Sequence, residues 1–144
     1  MDDWRLFTNP RFALRFRYPS LTAGGEPVDQ LETQQKDMLR VHVLAATSRL
    51  VYFEVRKYAR LTPFVAYQRH KESLFTRFDS LVISELRTAQ CASLAAYEYT
   101  FEWEHGRRVA LLVRRAGALY RIIYDPGSAV NLQILSSLEW LDLI

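Results

Sequence analysis

The side chains best suited to chemistry are a histidine and a glutamate that two neighbouring strands bring together. Residues 40–46 and 50–58 alternate in polarity and predict a hairpin whose apolar register puts His42 opposite Glu54. An imidazole oriented by a carboxylate can act as a general base. No nucleophile and no anion-holding motif accompanies the pair, so a cross-strand contact is the simpler interpretation.

Two further motifs have chemical precedents and simpler explanations. Glu98 and Glu102 face the same way on one strand, like the paired carboxylates of a glycosidase. We expect Glu102 opposite Arg108 and Glu98 diagonal to Arg114, which favours a structural ladder of charges. The Asp-Pro-Gly-Ser sequence at 125–128 precedes a helix and could hold an anion, but a turn followed by a serine cap explains it equally well.

The remaining residue types do not support a catalytic or metal centre. The single cysteine, Cys91, has no basic neighbours in the sequence and is expected to be an inert side chain. His42, His70 and His105 lie on different elements without metal-ligand spacing. Phosphate-binding loops, dinucleotide-binding glycines and the H-E-x-x-H and G-x-S-x-G motifs are all missing from the sequence. We expect no catalytic residue, no cofactor and no metal, in a protein that is not an enzyme.

The last third of the chain predicts a three-stranded antiparallel sheet. Aromatic and polar residues alternate over 97–103, as in a strand with one buried face. A three-residue loop ending at Gly106 pairs Phe101 with Val109, and a two-residue turn at 116–117 leads into the next strand. In this register all three strands share one aromatic and aliphatic face.

The opposite face of these three strands is mixed in polarity. It is a candidate partner surface, because apolar side chains with arginine at the rim are typical of protein interfaces. If a helix covers them, the same side chains are core residues instead. The five candidates are Arg108, Leu112, Leu119, Arg121 and Ile123.

The other segments complete an α+β domain. Residues 11–18 alternate as a strand, and Ser128 caps a closing helix. Thr62 caps another helix, one face of which is marked by Phe64, Tyr67, Lys71, Leu74, Phe75 and Phe78. Strands in blocks with interspersed helices favour an α+β fold. We expect an antiparallel sheet of about six strands with helices packed on its faces.

A polar stretch from Leu21 to Asp37 separates the first strand from the next hairpin. Its glycines and glutamines predict a mobile loop, with a short strand near 28–33. Such a loop could act as a flap over a ligand.

Composition limits the class of protein. The chain has 144 residues, of which 49% are hydrophobic and 13% aromatic, so we expect one packed domain over 1–144. The net charge is +3, and the arginines are distributed over many segments, so nucleic acid is not an expected partner.

No apolar run is long enough to span a bilayer. The acidic start favours a cytoplasmic protein; the alternative is an extracytoplasmic one whose signal segment has been removed.

Three segments carry a resemblance to a known family. The strand and Tyr-Pro ending at 12–19, the strand Tyr-Arg-Ile-Ile-Tyr at 120–124 and the helix around 134–137 resemble the PsbP-like superfamily, which includes a photosystem II extrinsic subunit and a Ran-binding import factor. The resemblance implies an antiparallel sheet with helices on both faces. It also implies a non-enzymatic binding or assembly protein.

These observations leave three functional hypotheses open. The first is a non-catalytic protein-binding or assembly module with an unknown protein partner. The second is a small-ligand carrier with the loop from Leu21 to Asp37 as its flap. The third is an enzyme that uses His42 and Glu54. We expect a monomer or a weak dimer, because Arg15 and its neighbours discourage pairing through the first strand.

Overall fold

Two antiparallel sheets and two helices form the structure. A computed structural model describes residues 4–142; the acidic start at 1–3 lies outside this part of the chain. Its elements are β1 (Trp4–Asn9), β2 (Leu14–Pro19), β3 (Asp29–Gln35), β4 (Met38–Leu44), β5 (Tyr52–Ala59), α1 (Pro63–Arg77), β6 (Val82–Ile83), β7 (Arg87–Cys91), β8 (Leu94–Trp103), β9 (Gly106–Arg115), β10 (Ala118–Tyr124), α2 (Ala129–Ser136) and β11 (Glu139–Trp140).

The larger sheet has eight strands. Their order is β3-β4-β5-β10-β9-β8-β6, and β7 pairs with another part of β8. A second sheet has three strands in the order β1-β2-β11. The α+β class and the antiparallel pairing are confirmed, whereas the expected six strands are too few. The missed strands are mostly short or near the ends of the chain, where local sequence patterns are weakest.

A hydrophobic core lies on each face of the eight-stranded sheet. One core holds the three-stranded sheet and α2 against β4, β5, β9 and β10. The other holds α1 against β8, β9 and β10 through residues such as Tyr67, Leu74 and Tyr99. The central strands are therefore covered on both faces.

Two predicted hairpins have the expected register. Val43 pairs with Phe53 in β4 and β5, and His42 pairs with Glu54 beside them. The turn at 116–117 joins β9 to β10, with positive φ values of 51° at Ala116 and 81° at Gly117, as a tight two-residue hairpin turn requires.

The register predicted for the β8–β9 hairpin is wrong by one residue. Phe101 pairs with Arg108, and Trp103 pairs with Gly106, because the turn contains two residues and not three. Since a shift of one residue exchanges the two faces of a strand, the aromatic residues of β8 face α1 and not the three-stranded sheet.

Gly106 explains this difference. Its φ is not positive, so it does not serve the left-handed turn position that the sequence suggested. A Cβ at Gly106 would lie 3.1 Å from Cζ2 of Trp103. Glycine is needed here because the indole ring packs directly across the backbone.

The first helix begins as expected, and its buried face matches the predicted one only in part: Tyr67 and Leu74 are buried, whereas two of the predicted phenylalanines are not. Thr62 Oγ1 accepts a hydrogen bond from Val65 N at 3.3 Å, and Pro63 occupies the first turn. Phe64 and Phe75 are 63% and 52% exposed, in contrast to the prediction. The buried positions are Ala66, Tyr67, His70 and Leu74.

The closing helix is shorter than its sequence pattern suggests. The side chain of Ser128 makes no capping hydrogen bond, and α2 ends at Ser136. Ser137 Oγ accepts a hydrogen bond from Arg17 N at 2.8 Å, and the chain continues into β11, which pairs with β2. This tertiary pairing overrides the helical spacing of the following leucines. Within residues 4–142, neither helix is long and apolar enough to cross a membrane.

The second half of the stretch from Leu21 to Asp37 contains a sheet strand. Leu21 forms a bridge with Pro27, and β3 then pairs along its whole length with β4. The strand predicted near 28–33 is confirmed as β3, and residues 22–26 form a turn closed by the bridge between Leu21 and Pro27. Paired backbone hydrogen bonds leave this strand unsuited to act as a flap.

Candidate functional site

The five candidate surface residues lie beneath α1. Leu112 and Leu119 are fully buried, and Ile123 is nearly so. Arg108 and Arg121 are only 9% and 6% exposed. The five do not form an open apolar surface: the helix covers them, and the apolar members belong to the core.

A pocket beside this core is lined by arginine and aromatic side chains. It has a volume of about 390 Å³ and lies between α1 and the strands β4, β5, β10, β9 and β8. Both buried arginines and Ile123 belong to its lining. We call it the arginine pocket after six lining residues, Arg40, Arg56, Arg69, Arg77, Arg108 and Arg121.

Strand register places three of these arginines side by side. Arg40 pairs with Arg56 across β4 and β5, and Arg56 pairs with Arg121 across β5 and β10. Directly opposite side chains have Cβ atoms about 5 Å apart, and like charges there repel one another. We call Arg40, Arg56 and Arg121 the arginine row; it must be offset by negative charge to be stable.

One buried carboxylate lies beside the arginine row. Glu54 Oε2 lies 2.6 Å from Arg40 Nε, and Glu54 Oε1 lies 3.2 Å from Arg56 Nε. Burial alone would raise the pKa of Glu54, but attraction to Arg56, Arg121 and Arg40 outweighs it and lowers the pKa. Glu54 is therefore ionised and neutralises part of the row.

Aromatic rings hold Arg108 in a fixed orientation. Its Cζ lies 3.9 Å from the ring centre of Tyr52 and 5.0 Å from that of Trp103. Its Nη1 atom lies 3.5 Å from Asp125 Oδ2. Stacking on a ring face leaves the edge of the guanidinium plane, where the N–H groups point, available for an acceptor.

Several donors in the pocket have no partner within residues 4–142. The Nε atoms of Arg56, Arg108 and Arg121 are buried without a hydrogen bond in this part of the chain. Although Arg56 Nε lies close to Glu54, its N–H does not point at the carboxylate. Buried charged donors without an acceptor are unfavourable, so the pocket is suited to an anion.

His42 and Glu54 are paired in register but not arranged as an acid–base couple. Glu54 is held by arginines, and His42 Nδ1 lies 2.9 Å from Arg40 Nη2. Burial lowers the pKa of His42 to about 4, although Glu54 opposes the shift. A neutral imidazole with so low a pKa is a weak base at neutral pH.

His70 lies on the side of the pocket formed by α1, and its ring is hydrogen-bonded to a core residue. Its Nδ1 atom is hydrogen-bonded to the hydroxyl group of Tyr99. Burial, reinforced by Arg121 and Arg56, lowers the pKa of His70 to about 2. His70 is therefore neutral, so it adds no positive charge to the pocket at neutral pH.

The other motifs have structural roles. Glu98 pairs with Arg87 at 3.3 Å, whereas Arg108, expected opposite Glu102, meets Asp125. Asp125 Oδ1 accepts a hydrogen bond from Gly127 N at 2.8 Å, as a turn requires. Burial raises the pKa of the Cys91 thiol to about 11, as expected of an inert cysteine. Residues 4–142 contain no group of three His, Cys, Asp or Glu side chains placed to hold a metal ion.

The arginine pocket is the site that sequence reasoning missed. Its arginines come from five elements, so they look dispersed along the chain although the fold gathers them. One signal was available, because the register predicted for β4 and β5 already places Arg40 opposite Arg56. The pairing of β5 with β10, which adds Arg121, has no local signature.

Comparison with known proteins identifies the architecture. The solution structure of cyanobacterial PsbP (CyanoP) from Synechocystis sp. PCC 6803 superposes with a TM-score of 0.67 and 10% sequence identity, over 97% of this chain and 94% of that one. The chain has a PsbP-like fold. A crystal structure of a protein from Bacteroides thetaiotaomicron VPI-5482 matches with a TM-score of 0.51 and 12% identity, over 96% of this chain and 48% of that one. No protein-family model and no curated protein matches the chain.

The PsbP-like fold accounts for the mixed polarity of β9 and β10. It places helices on both faces of the sheet, as the resemblance implied, so the apolar side chains on the second face are covered by α1. The charged side chains on that face line the arginine pocket.

Proposed function

We propose that this protein is a non-catalytic binding module that holds an anionic group of a partner protein in the arginine pocket. The observation that carries the proposal is the arginine row, in which three adjacent strands present like charges with Glu54 beside them. An arrangement that repels itself is most readily explained by a ligand that supplies the missing negative charge.

The surroundings of the pocket favour a protein partner. Arg69 and Arg77 lie exposed on α1 at the pocket, and the rings of Tyr58, Phe78 and Trp103 line it. Aromatic and arginine side chains are enriched at protein interfaces. A partner could insert one anionic group into the pocket and pack against α1 around it.

A small-anion carrier is the second candidate. The pocket volume of about 390 Å³ lies within the range of small-molecule sites. The segment from Leu21 to Asp37 does not line this pocket, so the carrier would work without the expected flap. Native mass spectrometry of the purified protein tests this candidate: a retained anion that is lost in Arg121→Gln supports it, and none retained by the wild type excludes a tightly held ligand.

Calorimetric titration with sodium sulfate tests the proposed function. At constant ionic strength we expect saturable binding to the wild type and a loss of at least tenfold in Arg121→Gln. Arg5→Gln is the matched control, because Arg5 is exposed on the three-stranded sheet. Arg77→Gln, which removes an exposed lining charge, provides a second variant that leaves the core intact.

Two results would contradict the proposal. One is the lack of saturable binding by any small anion. The other is equal affinity in the wild type, Arg77→Gln and a folded Arg121→Gln, which would place the anion elsewhere on the basic surface. Circular dichroism of each variant establishes that the fold is retained.

A further inference from the structure

Arg121 is a buried arginine whose charge has no close counterion among residues 4–142. Only 6% of this residue is exposed, and its Nε atom is buried without a hydrogen bond in this part of the chain. No carboxylate oxygen of the described residues lies within 4.0 Å of its guanidinium group. Leu112, directly opposite on β9, and Leu119 and Ile123 on the same strand are buried and apolar. An uncompensated charge in such surroundings is unfavourable.

The other arginines of the pocket are paired or hydrated. Glu54 binds the other two members of the arginine row, at 2.6 and 3.2 Å. Arg108 Nη1 lies 3.5 Å from Asp125 Oδ2. Arg69 and Arg77 are exposed on α1, where water hydrates their charges. The positive charge that an external anion would neutralise is therefore that of Arg121.

A ligand with a single negative charge fits this position. Glu54 is ionised and attracts Arg121 from beyond ion-pair distance, which helps to lower the pKa of Glu54. An anion on Arg121 thus lies near a second negative charge, and neutral His70, whose pKa is about 2, does not offset it. Repulsion and the cost of dehydration both grow with the charge of the ligand. A dianion therefore gains no advantage over a monoanion.

The shape of one guanidinium group matches a carboxylate. The planar fork of an arginine offers two parallel N–H donors, and the two oxygens of a carboxylate accept both in the same plane. The Cζ atom of Arg121 lies 5.6 Å from the ring centre of Tyr58. Arg121 also approaches the hydroxyl group of Tyr99 and opposes the rise in pKa that burial causes there. These contacts orient a single fork, and no second arginine is required.

We propose that Arg121 binds a carboxylate group of the partner protein in the arginine pocket. This inference rests on the proposed anion-binding function and adds the chemical class of the ligand. The carboxylate could belong to an aspartate or glutamate side chain, or to the C-terminal end of the partner. Both present the same two oxygens and the same charge to Arg121.

Titration with sodium acetate, acetamide and sodium sulfate at pH 7.5 and constant ionic strength tests the inference. Binding is followed by nuclear magnetic resonance, through the backbone amide signals of β10, which carries Arg121. We expect acetate to bind saturably and at least as tightly as sulfate, although it carries half the charge. Acetamide has a similar shape without the charge and should bind at least tenfold more weakly.

Two substitutions separate the charge of Arg121 from its shape. Arg121→Gln removes the charge, and we expect it to weaken acetate binding at least tenfold. Arg121→Lys keeps the charge but loses the planar pair of donors, and we expect it to weaken acetate binding at least fivefold. Arg5→Gln is the control and should leave acetate binding unchanged. The spread of the amide signals in each variant establishes that it is folded.

Two alanine pentapeptides with acetylated N-termini distinguish the sources of the carboxylate. One has a central glutamate and an amidated end; the other has a free C-terminal carboxylate as its only charge. Tighter binding of the first indicates a side chain, and tighter binding of the second indicates a chain end. Equal affinity indicates that the pocket recognises the carboxylate alone. Each of these results supports a carboxylate ligand.

The outcomes separate this inference from the function on which it rests. If sulfate binds more tightly than acetate, or folded Arg121→Lys binds acetate like the wild type, the pocket does not select a carboxylate and the inference is wrong, while anion binding stands. Binding of acetate without binding of either peptide would contradict a carboxylate carried by a partner protein. If neither acetate nor sulfate binds saturably, the proposed function fails as well.

Discussion

The two faces of the eight-stranded sheet carry rows of opposite polarity on the same strands. Neighbouring rows of directly opposed residues cross the same strands, one residue apart. Towards the three-stranded sheet the row is Val41, Val55, Ile122 and Leu111; towards α1 it is Arg40, Arg56, Arg121 and Leu112. The first row is fully or almost fully buried and apolar. The second carries three positive charges with Glu54 beside them.

The two rows contribute to stability with opposite signs. The apolar row contributes to folding by removing hydrophobic surface from water. The arginine row opposes folding through repulsion and partial burial of charge. Both faces have a hydrophobic core, so we infer that the arginine row is an unfavourable arrangement retained for binding.

The largest effect should follow from truncating the apolar face. Phe53 is fully buried, with its ring centre 5.0 Å from that of Phe16. We expect Phe53→Ala to lower the free energy of unfolding by about 4 kcal/mol, measured by urea denaturation, and to leave sulfate affinity unchanged if the variant folds. Phe75→Ala, at an exposed position on α1, is the control and should change stability little. A loss of sulfate affinity in folded Phe53→Ala would contradict this separation of the two faces.

Removing the carboxylate beside the arginine row should lower stability and at the same time increase the affinity for anions. We expect Glu54→Gln to lower the free energy of unfolding by about 3 kcal/mol, because it leaves buried arginine charges unpaired. It should also bind sulfate more tightly than the wild type, because Arg40 and Arg56 become available. Glu104→Gln in the exposed β8–β9 turn should change neither property. Weaker sulfate binding by Glu54→Gln would indicate that Glu54 is part of the ligand site.

The pH dependence of stability should report the buried histidines of the α1 face. The pKa values of His42 and His70 are lowered by burial to about 4 and about 2. The unfolded chain therefore binds these protons below about pH 6.5, and the folded protein does not. Stability should be fully present above pH 6.5 and should fall as the pH drops, by up to about 1.4 kcal/mol per unit for each histidine.

Variants assign this loss to individual residues. For His42 the loss should end near pH 4, and below about pH 4.5 Glu54 adds a further loss because its pKa is lowered in the folded protein. His70→Gln should reduce the slope of unfolding free energy against pH between 6.5 and 4 by about half. His105→Gln, at an exposed turn, is the control. An unchanged slope in His70→Gln would show that His70 is protonated as readily in the folded protein as in the unfolded chain.

The smallest effect should come from the turn that positions Trp103. In Gly106→Ala the new Cβ would lie 3.1 Å from the indole ring and 3.4 Å from Arg108 Nη1. We expect a loss of about 1 kcal/mol in stability and a two- to threefold change in sulfate affinity. Gly24→Ala is the control, because its Cβ would meet only Thr22 Oγ1 at 3.9 Å. Equal behaviour of the two variants would show that Trp103 does not help to orient Arg108.

Local sequence patterns predicted the parts of the fold that depend on neighbouring residues. The β4–β5 and β9–β10 hairpins, the Thr62 cap and the α+β class all follow from alternation and turn chemistry. The β8–β9 register could not be predicted in this way, because Gly106 serves the packing of Trp103 and not the turn conformation. The end of α2 is decided by a tertiary hydrogen bond between Ser137 and Arg17.

The candidate site was less predictable than the fold. Arg108 and Arg121 were selected from the sequence, but as the rim of an apolar surface. Their true surroundings depend on α1 covering the sheet and on the pairing of β5 with β10, which joins segments about 60 residues apart. A charge distribution that looks dispersed along the chain becomes concentrated only when such long-range pairs form.

A crystal structure of the protein grown with sodium selenate tests the central claim most directly. Selenate is a tetrahedral dianion whose anomalous scattering identifies its position without ambiguity. The account predicts a selenate ion in the arginine pocket within hydrogen-bonding distance of Arg121 in the arginine row, and no ion there in Arg121→Gln. An empty pocket in the wild type, with selenate only at exposed arginines such as Arg5, would contradict it.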